Sequence, residues 1–107
     1  MVKITIFQDS EQNFTGFDCI GHAGYAEEND IVCAGVSALV INCINSIETL
    51  TDAPFTCDSQ EEAGRISFRF TGRSGADAQL LVSSLALGLS EMENSCDEFI
   101  DVIFEEV

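Results

Sequence analysis

The chain has no tryptophan, one tyrosine, one proline and one histidine, and only four cationic side chains, Lys3, Arg65, Arg69 and Arg73. Against nineteen Asp and Glu, that leaves a formal charge of −15. Such a surface repels nucleic acid, whose binding rests on neutralising phosphates, so no nucleic-acid partner is expected. The same field attracts a basic protein; it equally keeps a small protein in solution, and both readings stand. Long apolar runs are missing too. The nearest, Ile31 to Ile41, contains Gly35 and Ser37 and runs into Asn42 and Asn45, short of the roughly 18 residues of a membrane span. The opening MVKITIFQDS is too poor in apolar residues for a signal peptide. No membrane partner is expected, and the reading is cytoplasmic. The five cysteines, at 19, 33, 43, 57 and 96, are odd in number and irregular in spacing, which predicts reduced thiols that mostly pack as small hydrophobes.

What is present is enough for a core. Apolar residues make up 46% of 107, and that length predicts one domain over 1–107. VKITIF alternates as a strand, DSEQN turns, and FTGFDCI reads as a second strand antiparallel to the first. A glycine-bearing loop covers Gly21 to Asn29. Asp30 is a good N-cap, and a helix then runs to about Leu50 with Val36, Val40, Cys43, Ile44 and Ile47 as its apolar stripe. Thr51, Asp52 and Pro54 end it. PFTCD is a short strand and GRISFRFTG a clear one, with Ile66, Phe68 and Phe70 on one face and Arg65, Ser67 and Arg69 on the other. SGAD, residues 74 to 77, resembles a capping box for a second helix carrying Leu81, Leu85, Leu89 and Met92. FIDVIFEEV closes as a strand with Ile100, Val102 and Phe104 inward. The order β-β-α-β-β-α-β predicts an α+β fold, a largely antiparallel sheet with two helices packed on one face.

The single histidine, His22, lies eleven positions before Cys33. With Asp30 as cap, Cys33 is in the first turn, where unpaired N–H groups and the positive end of the helix dipole favour a thiolate. The intervening chain can span up to about 35 Å, so it can fold His22 back onto the sulfur. A cysteine beside a base is the general pattern of a covalent nucleophile, with the imidazole handing a proton to the leaving amine. First-turn N–H groups around Cys33 and Ala34 are candidate oxyanion donors. From spacing alone, His22 as a hydrogen-bonded residue at a strand end stands ahead of the dyad.

The run GHAGYAEENDIVCAGVSALVIN resembles the signature of the ribosomal-processing cysteine proteases, the Prp family: G-H-A, a short loop, then D-I/V-V-C-A-x-V-S. Length and element order agree over essentially the whole chain. The resemblance implies a cysteine endopeptidase with His22 as general acid/base and Cys33 as nucleophile. It implies as substrate the precursor of bacterial ribosomal protein L-twenty-seven, whose short apolar N-terminal extension is removed, and related phage proteins in some cases. It also implies a homodimer and no cofactor. The chain departs from the pattern in its loop, which is one residue shorter and reads AEEND where a glycine usually stands. Asn29, tolerant of positive φ, is expected to take over that turn. Gly21 and Gly24 either give the loop the mobility to close over substrate or satisfy tight turns. Ser37, one turn after Cys33, either hydrogen-bonds near the nucleophile or eases helix–sheet contact. Asp30 is read as a cap ahead of a catalytic orienter.

Three rivals remain. Cys19 and His22 form a C-x-x-H half-site, but no second pair completes a zinc site, so no metal is expected. A reactive Cys33 resolved by Cys19 would be a redox site. A non-catalytic acidic module binding a basic ribosomal or ribosome-assembly protein shares the charge argument and has no need of His22 or Cys33. Arg65, Arg69 and Arg73 are expected to neutralise acidic neighbours on the sheet rather than hold a substrate carboxylate or a dimer contact.

Overall fold

The computed structural model describes residues 1–21, 30–60 and 64–107, with Asp30 by its backbone alone. Seven elements follow in the expected order: β1 (Val2–Gln8), β2 (Phe14–Ile20), α1 (Asp30–Leu50), β3 (Phe55–Gln60), β4 (Arg65–Phe70), α2 (Gly75–Ser95) and β5 (Ile100–Glu106). They form a five-stranded sheet of order β3-β4-β2-β1-β5. Three of its seams are antiparallel, and β1 with β5 is parallel. Both helices lie on one face, so the fold is the predicted α+β arrangement.

Alternation in the strands explains the core. Val2, Ile4 and Ile6 pair in register with Ile100, Val102 and Phe104 on one side, and Ile4 and Ile6 with Cys19 and Phe17 on the other. All of these side chains therefore point to the helix side. Val32, Val36, Val40, Cys43 and Ile47 of α1 and Val82, Leu85, Ala86 and Leu89 of α2 close over them. Phe68 is the hub of an aromatic group, stacked on Phe17 (4.8 Å between centroids) and on Phe55 (4.9 Å), with Phe70 edge-on at 5.1 Å. The two helices approach closely where side chains are missing. A Cβ on Gly35 would meet Met92 Cε at 3.0 Å, and one on Gly88 would meet Leu39 Cδ1 at 3.2 Å.

Some expectations change. Ser74 does not cap α2: at φ −85°, ψ −32° its backbone is already helical, and its side chain makes no cap hydrogen bond. Instead Ser74 Oγ accepts from Gln79 Nε2 at 2.9 Å, while Asp77 accepts from the adjacent Ala78 N–H. Gln79 also brackets the start of β2, accepting from Phe14 N and donating to Phe14 O, both at 2.8 Å. Phe104 shares the helix-facing side but is 48% exposed, because β5 is an edge strand whose cover fades from Ile100 towards its end. Finally, Ile31–Leu50 is long and apolar enough to cross a membrane, with a mean hydropathy of 1.7. The run carries a single charge, Glu48, and it buries Val32, Val36, Val40 and Ile47 against the sheet, as a core helix does.

Candidate active site

The end of the sheet where β2 finishes is built around Gly21. It sits at φ +86°, and a Cβ there would come within 2.7 Å of Met1 O. Its N–H donates to Gly64 O at 2.8 Å, so the exit of β2 is clamped between the starts of β1 and β4. Of the two readings of this glycine, tight geometry is the one the backbone requires. Gly21→Ala is expected to cost about 1–3 kcal/mol, from left-handed strain and the clash with Met1, read as a lower midpoint in urea unfolding.

The carbonyl of Gly21 accepts the Cys33 thiol at 3.8 Å. α1 begins at Asp30 as expected, which puts Cys33 in its first turn. The sulfur-bearing residue is only 4% exposed and packs in the core cluster with Val32, Val36 and Cys19. Ala34 beside it is exposed, and Ser37 one turn on is half-buried. The side chain of Asp30, and His22, Gly24 and Asn29 of the preceding loop, lie outside the described residues, as does any test of the zinc half-site through His22. Among the described residues no group of three or more His, Cys, Asp and Glu could hold a metal ion.

The other cysteines differ in kind. Burial, with a smaller contribution from Cys33, pushes the Cys19 thiol up to about 12. It is protonated at neutral pH and packs as a hydrophobe, which argues against its serving as a resolving thiol. Cys43, also pushed up to about 12 by burial, donates to Leu81 O at 3.7 Å.

The helix-free face of the sheet carries a cluster that the sequence pattern showed only in part. Asp18 accepts from Ser67 Oγ (2.7 Å) and Arg69 Nη1 (2.9 Å), and Arg65 Nη2 lies 3.6 Å away. Arg69 also donates to the carbonyls of Phe17 and Phe68, and its guanidinium lies over the Phe7 ring at 4.3 Å. Gly16 makes room for this, since a Cβ there would collide with Phe68 O and crowd the Arg69 stem. Two of the three arginines thus neutralise an acidic neighbour, as expected. Arg73 instead lines a cleft of about 730 Å³ with Asp9, Phe70 and Ser74, at the opposite end of the sheet from Cys33.

Burial alone would raise the Asp18 carboxyl. Hydrogen bonds from Arg69 and Ser67 and the charges of Arg69 and Arg65 outweigh it and hold the group below its usual value. A carboxyl depressed in the folded state adds stability at neutral pH that is lost as pH falls through the folded value. Asp18→Asn is therefore expected to lose about 1–2 kcal/mol at pH 7, kept low because both arginines are two-fifths exposed or more. The gap to wild type should close as unfolding is followed below pH 3.8, the ordinary value for Asp.

Comparison with known proteins decides the family. The family model described as cysteine protease Prp matches residues 1–101. The chain belongs to the Prp cysteine proteases. It is 31% identical over 98 residues to the ribosomal processing cysteine protease Prp of Bacillus subtilis strain 168, covering 87% of this chain and 88% of that one. The Prp of Staphylococcus aureus solved in complex with a substrate peptide superposes with a TM-score of 0.92 at 27% identity, over 97% of this chain and 99% of that one. SMU.848 from Streptococcus mutans superposes at 0.90 with 26% identity, over 100% and 99%. Prp proteins are cysteine proteases of ribosomal processing, and that activity is this chain's.

Proposed function

We propose that the protein removes a short apolar N-terminal extension from the precursor of ribosomal protein L-twenty-seven, with Cys33 as nucleophile and His22 as general acid and base. One observation carries the reading. The contact between Cys33 Sγ and Gly21 O ties the first turn of α1 to the residue immediately before His22 in the chain. The substrate-peptide and covalently linked product complexes of the S. aureus protease support a peptide substrate of ribosomal origin here. A basic ribosomal protein is drawn to a chain of −15.

The Cys33 thiolate attacks the scissile carbonyl carbon, forming the C–S bond while the carbonyl π pair moves to oxygen. The positive end of the α1 dipole, in the first turn around Cys33 and Ala34, stabilises that oxyanion. Collapse breaks the C–N bond, His22 gives its proton to the departing amine, and the acyl chain stays on sulfur. Water, deprotonated by His22, then hydrolyses the thioester and restores the thiol–imidazole pair. Because Cys33 is almost fully covered, the sulfur must gain exposure when substrate arrives. Gly21, Asp30 and Ser37 are proposed to support the site, by turn geometry, helix capping and contact one turn from the nucleophile.

The test is a peptide spanning the extension and its junction. Wild type is expected to cut one bond, while Cys33→Ala holds the peptide uncut. Binding without cleavage by wild type would favour a non-catalytic acidic module instead. A homodimer in the cytoplasm is proposed on the same footing; sedimentation equilibrium checks the oligomer.

A further inference from the structure

The sheet ends on one side in a strand whose outer backbone is unused. Thr71 N–H donates to Pro54 O, and the β3–β4 register pairs Phe55 with Phe70 and Cys57 with Phe68. In an antiparallel ladder, hydrogen-bonded pairs alternate with unbonded ones. Thr56, Asp58 and Gln60 therefore face β4 with their N–H and C=O groups, and Phe55, Cys57 and Ser59 turn theirs outward. The opposite seam of β4 agrees: Gly21 N–H bonds Gly64 O, so the even residues of β4 serve β2 and its odd residues serve β3. Among the described residues, nothing pairs with the outward groups of Phe55, Cys57 and Ser59.

The other edge is treated differently. On β5, Val2 N–H bonds Phe99 O and Val107 N–H bonds Gln8 O, so the even residues of β5 point outward. Glu93 of α2 reaches across and accepts from Val102 N–H at 2.7 Å. That edge is blocked in its first half by a carboxylate. Among the described residues β3 has no such guard. Apart from half-buried Phe55 its residues are exposed, and Asp52 and Asp58 are the only charged side chains from Thr51 to Gln60.

The geometry points to β3 as a docking edge for an extended, basic segment of the peptide substrate, which adds a sixth strand through the N–H and C=O groups of Phe55, Cys57 and Ser59. The occupant follows from the charge of this edge: a second copy paired through β3 sets Asp52 and Asp58 against the same two carboxylates, whereas a cationic segment is attracted to Asp58. The inference rests on the peptidase reading and adds where the substrate is held. β3 runs towards the catalytic end, where Gln60, Arg65 and Ile20 stand in one row across β3, β4 and β2. An added strand lies three strand spacings, about 14 Å, from β2. The docked segment is thus separated from the scissile bond by at least about four extended residues.

The test uses Cys33→Ala protein and labelled junction peptides carrying single backbone N-methyl groups. Docking predicts a stretch in which alternate positions weaken binding about three- to tenfold while those between are neutral. Cys57→Pro removes one outward donor and leaves the β4 ladder intact, since edge strands accept proline where the N–H faces solvent. In Cys33→Ala protein it is expected to weaken the unmodified peptide by a similar factor, and introduced alone into wild type it leaves Cys33 alkylation unchanged. If Cys57→Pro fails to fold, slowed amide exchange at Phe55, Cys57 and Ser59 on peptide binding replaces it. A flat scan, an alternating scan with normal binding by folded Cys57→Pro, or loss of a dimer with peptide binding retained each overturns the docking. Junction cleavage by wild type with a flat scan sinks the docking alone; an alternating scan without cleavage sinks the peptidase reading alone.

Discussion

Cys33→Ala is expected to lower the rate of junction cleavage by about 10⁴-fold or more, because no acyl chain can form without the sulfur. Far-UV circular dichroism should stay that of wild type, since a 4% exposed cysteine replaced by alanine loses only one atom from the core. His22→Ala is expected to lose about 10²–10⁴-fold, the range of a single general acid–base group. The informative comparison is the double variant. If the two residues act as one unit, His22→Ala adds almost nothing to Cys33→Ala; multiplicative losses would mean that they act apart. Active-site titration with a thiol reagent checks the origin of the loss. Alkylation of Cys33 at neutral pH should slow in His22→Ala, and equal rates in both proteins would remove the imidazole from the mechanism.

The second large effect is structural. Phe68→Ala is expected to destabilise the protein by about 3–5 kcal/mol, the usual cost of deleting a buried aromatic ring. Phe68 is fully buried and touches three other rings, Phe17, Phe55 and Phe70, drawn from three strands. For a chain of this size the melting temperature should fall by roughly 15 °C or more. Calorimetry reads it directly. A loss below about 1 kcal/mol would mean that neighbouring rings collapse into the space, against the low tolerance of packed interiors for such cavities.

Much of this fold was legible because its signals are local. Val2, Ile4 and Ile6 alternate, Ile66, Phe68 and Phe70 alternate, and Val36, Val40, Cys43 and Ile47 recur at helical spacing. Each pattern names a buried face without reference to any other. The strand order, with β1 central and β5 parallel beside it, depends on which edges meet, and no single segment encodes that. Ser74 failed as a cap for the same kind of reason: Gln79, held against Phe14, competes for its hydroxyl. Phe104 has the right alternation, but its exposure follows from standing at a sheet edge. At the site, Asp30 and the apolar stripe were enough to put Cys33 in a first helical turn. Its burial and its contact with Gly21 O come from the packing of α1 on the end of β2, which spacing does not show. Gly21 was read for mobility or turning; the carbonyl of Met1 opposite its missing side chain selects the second. The role given to His22 still rests on the motif and the family.

One seam of this molecule also governs when it can be complete. β1 is hydrogen-bonded on its outer side by β5 alone, Val2 to Phe99 at one end and Gln8 to Val107 at the other. β1 thus waits, half paired, for a strand that follows it by 98 positions, Val2 beside Ile100. Folding of this kind is governed by long-range closure and is intrinsically slow, so the sheet is whole only once the chain has been made through β5.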